Sequence, residues 1–359
     1  MNVLRRLPLL FVLLSAAGSS YAAGINIGVV APQGGNFATL GAEITTGANF
    51  EIQAQKDTAT VIDEPCTEDG GRAVAEALIT AKAQIAIGFL CTETLEGALP
   101  RLKEAGIPAI TVSVRSRILM EDALKNGWPL FRLAPVDSAE AAVAINTILK
   151  DWAAEPMALI DDGTIHGREL VGAIRNALEE KGLKPVFNDT YRPGQDQQIA
   201  LVRRLKKAGA THVFIGGDRS DVAVIARDAK GENIPLALMG GDAMRAADTP
   251  LPLLEGVQAI ALPDAASLPA AQQTVQAMRA GGIEPDGYIL PAAAAAQIAS
   301  QAAEGAKAEN KPVADKLVGT AFQTAIGQIS FGQNHELTEN PYRLLEWRGN
   351  AFVPVTPLN

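Results

Sequence analysis

A strand-length apolar run, Ile85-Ala-Ile-Gly-Phe-Leu90, ends in Cys91, Thr92 and what reads as the first turn of a helix. A buried strand feeding a helix leaves backbone N–H groups pointing into the gap above the strand. Such a corner attracts an anion, for example a carboxylate. Thr92 adds a hydroxyl and Cys91 a covalent anchor, so the stretch suits the acid end of a small solute. Other chemistry is poorly served. Gly34-Gly35 belongs to neither a GxGxxG nor a Walker pattern. His166 is close in sequence to Asp161-Asp162, but no serine or cysteine nucleophile accompanies them. His212 begins a strand, His335 lies in a terminal turn, and no HxxxH or HExxH spacing suggests a metal. Neither catalysis nor a bound metal or cofactor is expected.

The elements that must position this corner alternate β-rich runs with helical patterns. In the first half the expected strands are Ile27–Ala31, Thr60–Asp63, Ile85–Leu90 and Ala109–Val112, and the helices are Phe37–Gln55, Glu68–Ala83 and Leu95–Ala105. Pro129–Pro135 breaks the rhythm and reads as an extended interdomain crossing. A second series follows with strands Met157–Asp162, Val186–Tyr191, His212–Gly217 and Leu236–Gly240. Its helices are Ser138–Trp152, Ile165–Lys181, Asp196–Ala208 and Ser220–Lys230. Gly256–Pro263 reads as a return strand and second crossing. Pro291–Ala308 is a helix that opens on a proline. Gly327–Phe331 is a strand, and Tyr342–Trp347 with Ala351–Val355 forms a hairpin. Strands alternating with helices imply two mostly parallel sheets covered on both faces, whose ligands bind beyond the carboxyl ends of the strands.

The 359 residues, 48% of them apolar, suffice for two lobes of roughly 120 to 180 residues each. Residues 1–22 read as a secretory signal, with Arg5-Arg6, an apolar Leu7–Ala17 and a Ser20-Tyr21-Ala22 cleavage site. The apolar run is too short to span a membrane, and the expected location is the periplasm. Without the signal, 29 basic residues face 40 acidic ones and the net charge moves from −9 to −11. That balance disfavours nucleic acid and anionic membranes. In an oxidising compartment the two cysteines, Cys66 and Cys91, form one disulfide, worth roughly 3 kcal/mol through its loop constraint. Two buried thiols are the alternative if export fails. Neither sits in a CxxC motif.

Taken in order, Ile27–Ala48 with its GAxxxxGA, Pro65-Cys66, Ile87-Gly-Phe-Leu-Cys-Thr92 and Leu130-Phe-Arg-Leu-Ala134 resemble the type I periplasmic binding proteins, specifically the leucine/isoleucine/valine-binding branch. Ala158–Leu170 ending in HGREL, Ile199–Lys207, Val213-Phe-Ile-Gly-Gly217 and Leu238-Met-Gly-Gly-Asp242 extend the likeness over essentially the whole mature chain. The resemblance implies two doubly wound parallel-sheet lobes joined by three crossings, a Cys66–Cys91 bridge and a solute clamped in the cleft. The lobes would comprise residues 23–134 with 264–332, and 135–263 with 333–359. Crossings at about Leu133–Pro135, Leu262–Asp264 and Phe331–Asn334 would act as a hinge. It implies the soluble receptor of an ABC importer, working as a monomer and delivering its solute to an inner-membrane permease. Thr92 matches the hydroxyl residue whose side chain and amide hold the ligand carboxylate. Ser113 matches the position whose carbonyl takes the ammonium, and Asp242 matches an acid that pairs with that ammonium. A helix cap is the plainer role for Asp242.

Departures from the family pattern bear on the solute. Leu40, His166 and Asp218 stand where aromatic residues are common, and Arg115 replaces a small hydroxyl residue. A cleft holding Arg115, His166, Asp218 and Asp242 offers little to an apolar ligand, because buried charges need partners. In one reading Arg115 meets a second acceptor on the solute while Asp218 or Asp242 takes an ammonium. In another Arg115 pairs with Asp218 or Asp242 inside the protein, and in a third Arg115 and Asp218 point to solvent. The expected solute is a polar or charged amino acid or a related small nitrogenous acid. Rival classes are an enzyme, a DNA-binding repressor of the same fold, an exported sensor and an orphan receptor tied to an oxidation pathway. The repressor lacks its helix-turn-helix here, whereas the last two would use the same cleft.

Overall fold

A computed structural model describes residues 24–246 and 251–355; the expected signal segment lies outside the described residues. The first sheet is built from β1 (Asn26–Ala31), β2 (Thr58–Asp63), β3 (Ile85–Gly88), β4 (Ala109–Thr111) and β5 (Leu130–Arg132). All pairings are parallel, in the order β2-β1-β3-β4-β5. Helices α1 (Ala38–Gln55), α2 (Glu68–Thr80), α3 (Thr92–Ala105) and α4 (Arg117–Asn126) connect them. After the first crossing, α5 (Ala139–Asp151), α6 (Ile165–Glu180), α7 (Ile199–Lys207) and α8 (Arg219–Gly231) alternate with β6 (Met157–Asp161), β7 (Phe187–Thr190), β8 (His212–Gly216), β9 (Ala237–Gly240) and β10 (Gln258–Ala261). The chain then returns to the first lobe with α9 (Gln272–Ala280), α10 (Ile289–Glu309), α11 (Val313–Leu317) and the small hairpin β11 (Phe322–Thr324) and β12 (Gly327–Ile329). It ends in β13 (Arg343–Arg348) and β14 (Ala351–Pro354), which complete a second sheet of order β14-β13-β10-β9-β8-β6-β7.

The two doubly wound lobes follow from strand composition. β3 and β6 are buried along their whole length, as strands covered on both faces must be. Edge strand β2 alternates instead between exposed and half-buried positions. One face of the first sheet packs Ile27, Val29 and Ile87 against Ile44 and Ile52 of α1 and the alanines of α10. The other packs Val30 and Ala86 against Val74, Leu78, Leu95 and Leu99 of α2 and α3. The terminal hairpin turns through Gly349 and Asn350, both at positive φ, which suits a tight hairpin turn.

Several elements differ from the sequence expectation. Leu130–Arg132 is not a crossing but the edge strand β5, and the crossing begins only after it. Arg132 disguised it: an arginine only 1% exposed, it donates through its Nη atoms to Glu336 and to the carbonyl of Ser116. Helix α4 was not anticipated, although Ser116 caps it by accepting from the Leu119 amide and Gly127 ends it. Helix α10 begins at Ile289, so Pro291 is its third residue, still in the turn whose N–H groups have no helical acceptor. Residues 333–338, expected in the second lobe, include contacts to the first sheet. The His335 carbonyl accepts from the Arg132 amide, the His335 ring stacks on Phe131, and Phe331 bridges Leu337. Just beyond, Asn340 Nδ2 donates to the Ala139 carbonyl at the start of α5, at 2.7 Å.

Candidate ligand-binding cleft

At the carboxyl end of β3 the backbone turns sharply, with φ of +107° at Gly88 and +56° at Phe89. The polar groups of this bend are almost all engaged. Gly88 accepts from the Val112 amide and the Phe89 amide donates to Val30. The Thr111 hydroxyl donates to the Phe89 carbonyl at 2.9 Å, and Ser113 Oγ to the Leu90 carbonyl at 3.2 Å. The Leu90 and Cys91 amides, which the sequence offered to a solute, donate instead to the two oxygens of Glu64, at 2.8 and 2.9 Å. Glu64 follows β2, reaches across the end of β1 and is 2% exposed. Burial pushes its carboxyl up to about 7, against the pull of the two amides. Half-buried Thr92, the first residue of α3, is the first of the run whose amide has no acceptor among the described residues.

Cys66 and Cys91 are paired, with Sγ–Sγ 1.94 Å and Cα–Cα 5.2 Å, and this pins the corner to the start of α2. Glu64, Cys66 and Cys91 are also the one grouping of metal-ligand types in close range among the described residues. Both sulfurs are engaged with each other, so the trio is not a metal centre.

Between the lobes lies a cavity of about 600 Å³, lined by Leu40, Ser113 and Arg115 of the expected residues. Tyr288, Glu43, Arg245 and Arg343 also line it and were not anticipated. Arg115 reaches across: its Nη1 donates to the Tyr342 hydroxyl at 3.1 Å, joining the end of β4 to the start of β13. Burial and the nearby Asp242 push the Tyr342 phenol up to about 12, so it is neutral at ordinary pH. Arg115 therefore meets a tyrosine beside Asp242 and not Asp218, while much of its side chain stays exposed to solvent.

Asp242 opens a 3-10 turn yet does not cap it. Its Oδ1 accepts from the Leu262 amide at 3.0 Å, bracing the second crossing, and its own amide donates to Glu140 Oε1 at 2.7 Å. Glu140 is 4% exposed, and burial raises its pKa, offset in part by that amide and by His166. The approach needs a glycine at 241, since a Cβ there would stand 2.2 Å from Glu140 Oε1. His166, in the first turn of α6 and 63% exposed, has its Nε2 3.8 Å from Glu140 Oε2. Asp218 is the cap: it accepts from the Asp221 amide at 3.1 Å and from Ser220 Oγ at 2.6 Å at the start of α8. The structure thus gathers Arg115, Tyr342, Asp242, Glu140 and His166 into one polar chain across the cleft and leaves Asp218 to its helix. Glu140 and Tyr342 escaped sequence reading because one looked like a first-turn helix acid and the other like a strand core residue.

Two covered parallel sheets whose carboxyl edges share a cleft define a hinged solute-binding protein. The chain matches the family model for periplasmic binding proteins over residues 24–351. It belongs to that family. It is 25% identical to the Leu/Ile/Val-binding protein homolog 3 of Brucella melitensis over 354 residues, covering 94% of this chain and 95% of that protein. Its fold resembles the substrate binding protein LivJ of Streptococcus pneumoniae in complex with isoleucine, with TM-score 0.60 and 20% identity over 93% of this chain and 100% of the other. A solute binding protein from Rhodopseudomonas palustris in complex with p-hydroxybenzoic acid gives TM-score 0.62 and 16% identity, covering 92% and 95%. The family is one of solute-binding proteins, not enzymes. Among the described residues no helix is long and apolar enough to cross a membrane.

Proposed function

We propose that the chain is the exported receptor of an ABC importer, closing over an amino-acid-like polar solute and presenting it to an inner-membrane permease. Residues 1–22 act as its signal, the Cys66–Cys91 pair is a disulfide in the periplasm, and the protein works as a monomer without nucleic acid. The rigid bodies of the hinge are residues 24–134 with 264–338, and 135–263 with 339–355. One arrangement supports this reading above the others: at the carboxyl edges of the two sheets, beside but not among the residues lining the 600 Å³ cavity, a donor stands on the first lobe and carboxylates on the second. Thr92 offers an amide and a hydroxyl on the first lobe, whereas Asp242 backed by Glu140 stands on the second. A zwitterion spans such a pair through charge-assisted hydrogen bonds. Ser113 and Leu40 shape the floor, and Arg115 and His166 favour a polar side chain over an apolar one. Because bound solute touches both walls, it stabilises only the closed form and shifts the population toward it.

A second reading rests on Arg115. Its guanidinium lies close enough to Asp242 to interact with it electrostatically, so a cation already serves that acid. A carboxylate without an ammonium then fits, with Thr92 holding the acid and Tyr288 facing the remainder. Calorimetric titration of the mature chain with polar, charged and branched amino acids and with p-hydroxybenzoate separates the readings. Tight binding of leucine with none of the polar solutes rejects both.

A further inference from the structure

The bend before α3 is gripped from two sides. Thr111 and Ser113 hold its carbonyls from β4, and Glu64 holds its amides from β2. Glu64 is almost inaccessible, so it does not itself touch a solute. It makes no salt bridge among the described residues, and the charged neighbour that weighs on it is another acid, Asp63. The helices on either side open on further acids, Glu68 and Asp69 of α2 and Glu93 of α3. Its charge is favoured by the Leu90 and Cys91 amides and the Thr94 hydroxyl at the start of α3, and by the positive ends of the helix dipoles.

We propose that Glu64 is the positioning residue for the solute's acid group, and that an anionic solute arriving at Thr92 draws a proton onto it. This rests on the reading above that the acid end sits at Thr92. Glu64 turns the Leu90 and Cys91 amides away from the cleft, which makes Thr92 the first donor a solute meets. A carboxylate placed one residue beyond Cys91 adds a second anion near a buried one. Like charges disfavour joint ionisation, so the proton balance of Glu64 shifts toward the neutral acid. With Glu64 already near its midpoint at neutrality, binding takes up part of a proton, and affinity falls as pH rises above that midpoint.

The test has a ligand-free arm and a solute arm. In ¹⁵N–¹H spectra of the mature chain titrated across neutrality, the Leu90 and Cys91 amides should move together with a midpoint near 7, and E64Q should abolish the movement. Amides that do not titrate in the unmodified chain overturn the proposal, as does a transition that survives in E64Q. The solute arm is calorimetry with L-serine and with p-hydroxybenzoate in buffers of different ionisation enthalpy. Each probe carries one carboxylate, and only L-serine adds an ammonium. Buffer-dependent heats in the unmodified chain, lost in E64Q, are expected for whichever probe binds; heats independent of buffer overturn the linkage. If neither probe binds, the solute reading fails, while the positioning role still stands or falls on the amide titration.

Discussion

Replacing Asp242 by asparagine separates its two possible duties. Asp242 braces the second crossing through the Leu262 amide at 3.0 Å and is itself held by Glu140 at 2.7 Å. Asparagine keeps an acceptor for Leu262 and an amide for Glu140, and removes only the charge. Loss of a charged partner for a desolvated ammonium costs 2 to 5 kcal/mol in buried pairs. Asp242 is half-buried and has Arg115 nearby, so the lower end applies, about 2 to 3 kcal/mol. That corresponds to a roughly 30- to 150-fold weaker Kd for an amino acid. Stability should not fall at neutral pH, because Glu140 loses an anionic neighbour that raises its pKa. Asp242→Ala should lose the same affinity and in addition about 1 kcal/mol of stability, from the stranded Leu262 amide. Calorimetric titration with the best-binding amino acid, together with chemical unfolding, measures both quantities. An asparagine variant with unchanged Kd would refute the ammonium role and leave Asp242 as a brace. Improved binding of p-hydroxybenzoate in that variant would favour the second reading.

Three other perturbations address the frame around the cleft. Tyr342→Phe removes the hydroxyl that Arg115 meets across the lobes. Arg115 remains accessible to water, so the loss is about 1 kcal/mol, read as a more open solute-free form in small-angle scattering; identical profiles would show that the contact does not bias closure. Cys66→Ser with Cys91→Ser frees a loop of sequence separation 25, and unfolding should cost roughly 3 kcal/mol less, against no change under reducing conditions for the double variant. Glu64 sets a pH dependence of known sign. Its folded pKa, about 7, lies above the ordinary 4.5, so the folded state binds more protons between those values and stability falls as pH rises through them. The drop is about 3 kcal/mol at 1.36 kcal/mol per unit, and Glu64→Gln should flatten it in urea unfolding; a flat profile in the unmodified chain would contradict the burial argument.

Much of the frame was legible because its signals are local. The alternation of strand and helix, the corner at Cys91-Thr92 and the terminal hairpin all rest on periodicity and turn residues within one short window. β5 was hidden because the buried arginine at its end pairs with Glu336, about two hundred residues away in the chain. Separation in sequence, from 26 to 227 residues, also concealed the main partners around the cleft. Nothing near Arg115 announces Tyr342, nothing near Asp242 announces Glu140, and nothing near Leu90 announces Glu64 as the acceptor of its amide. Asp218 and Asp242 follow similar glycine-containing strand ends, and their sequences do not show which one caps a helix. The difference appears only when the second crossing brings the Leu262 amide to Asp242.

The most direct test of the central claim is a crystal structure of the mature chain grown with its best-binding solute. The account predicts a carboxylate on the Thr92 amide and hydroxyl, with the cationic or polar end facing Asp242 and Arg115 still near Tyr342. A solute whose acid group rests on Arg245 or Arg343, with Thr92 and Asp242 untouched, would contradict it.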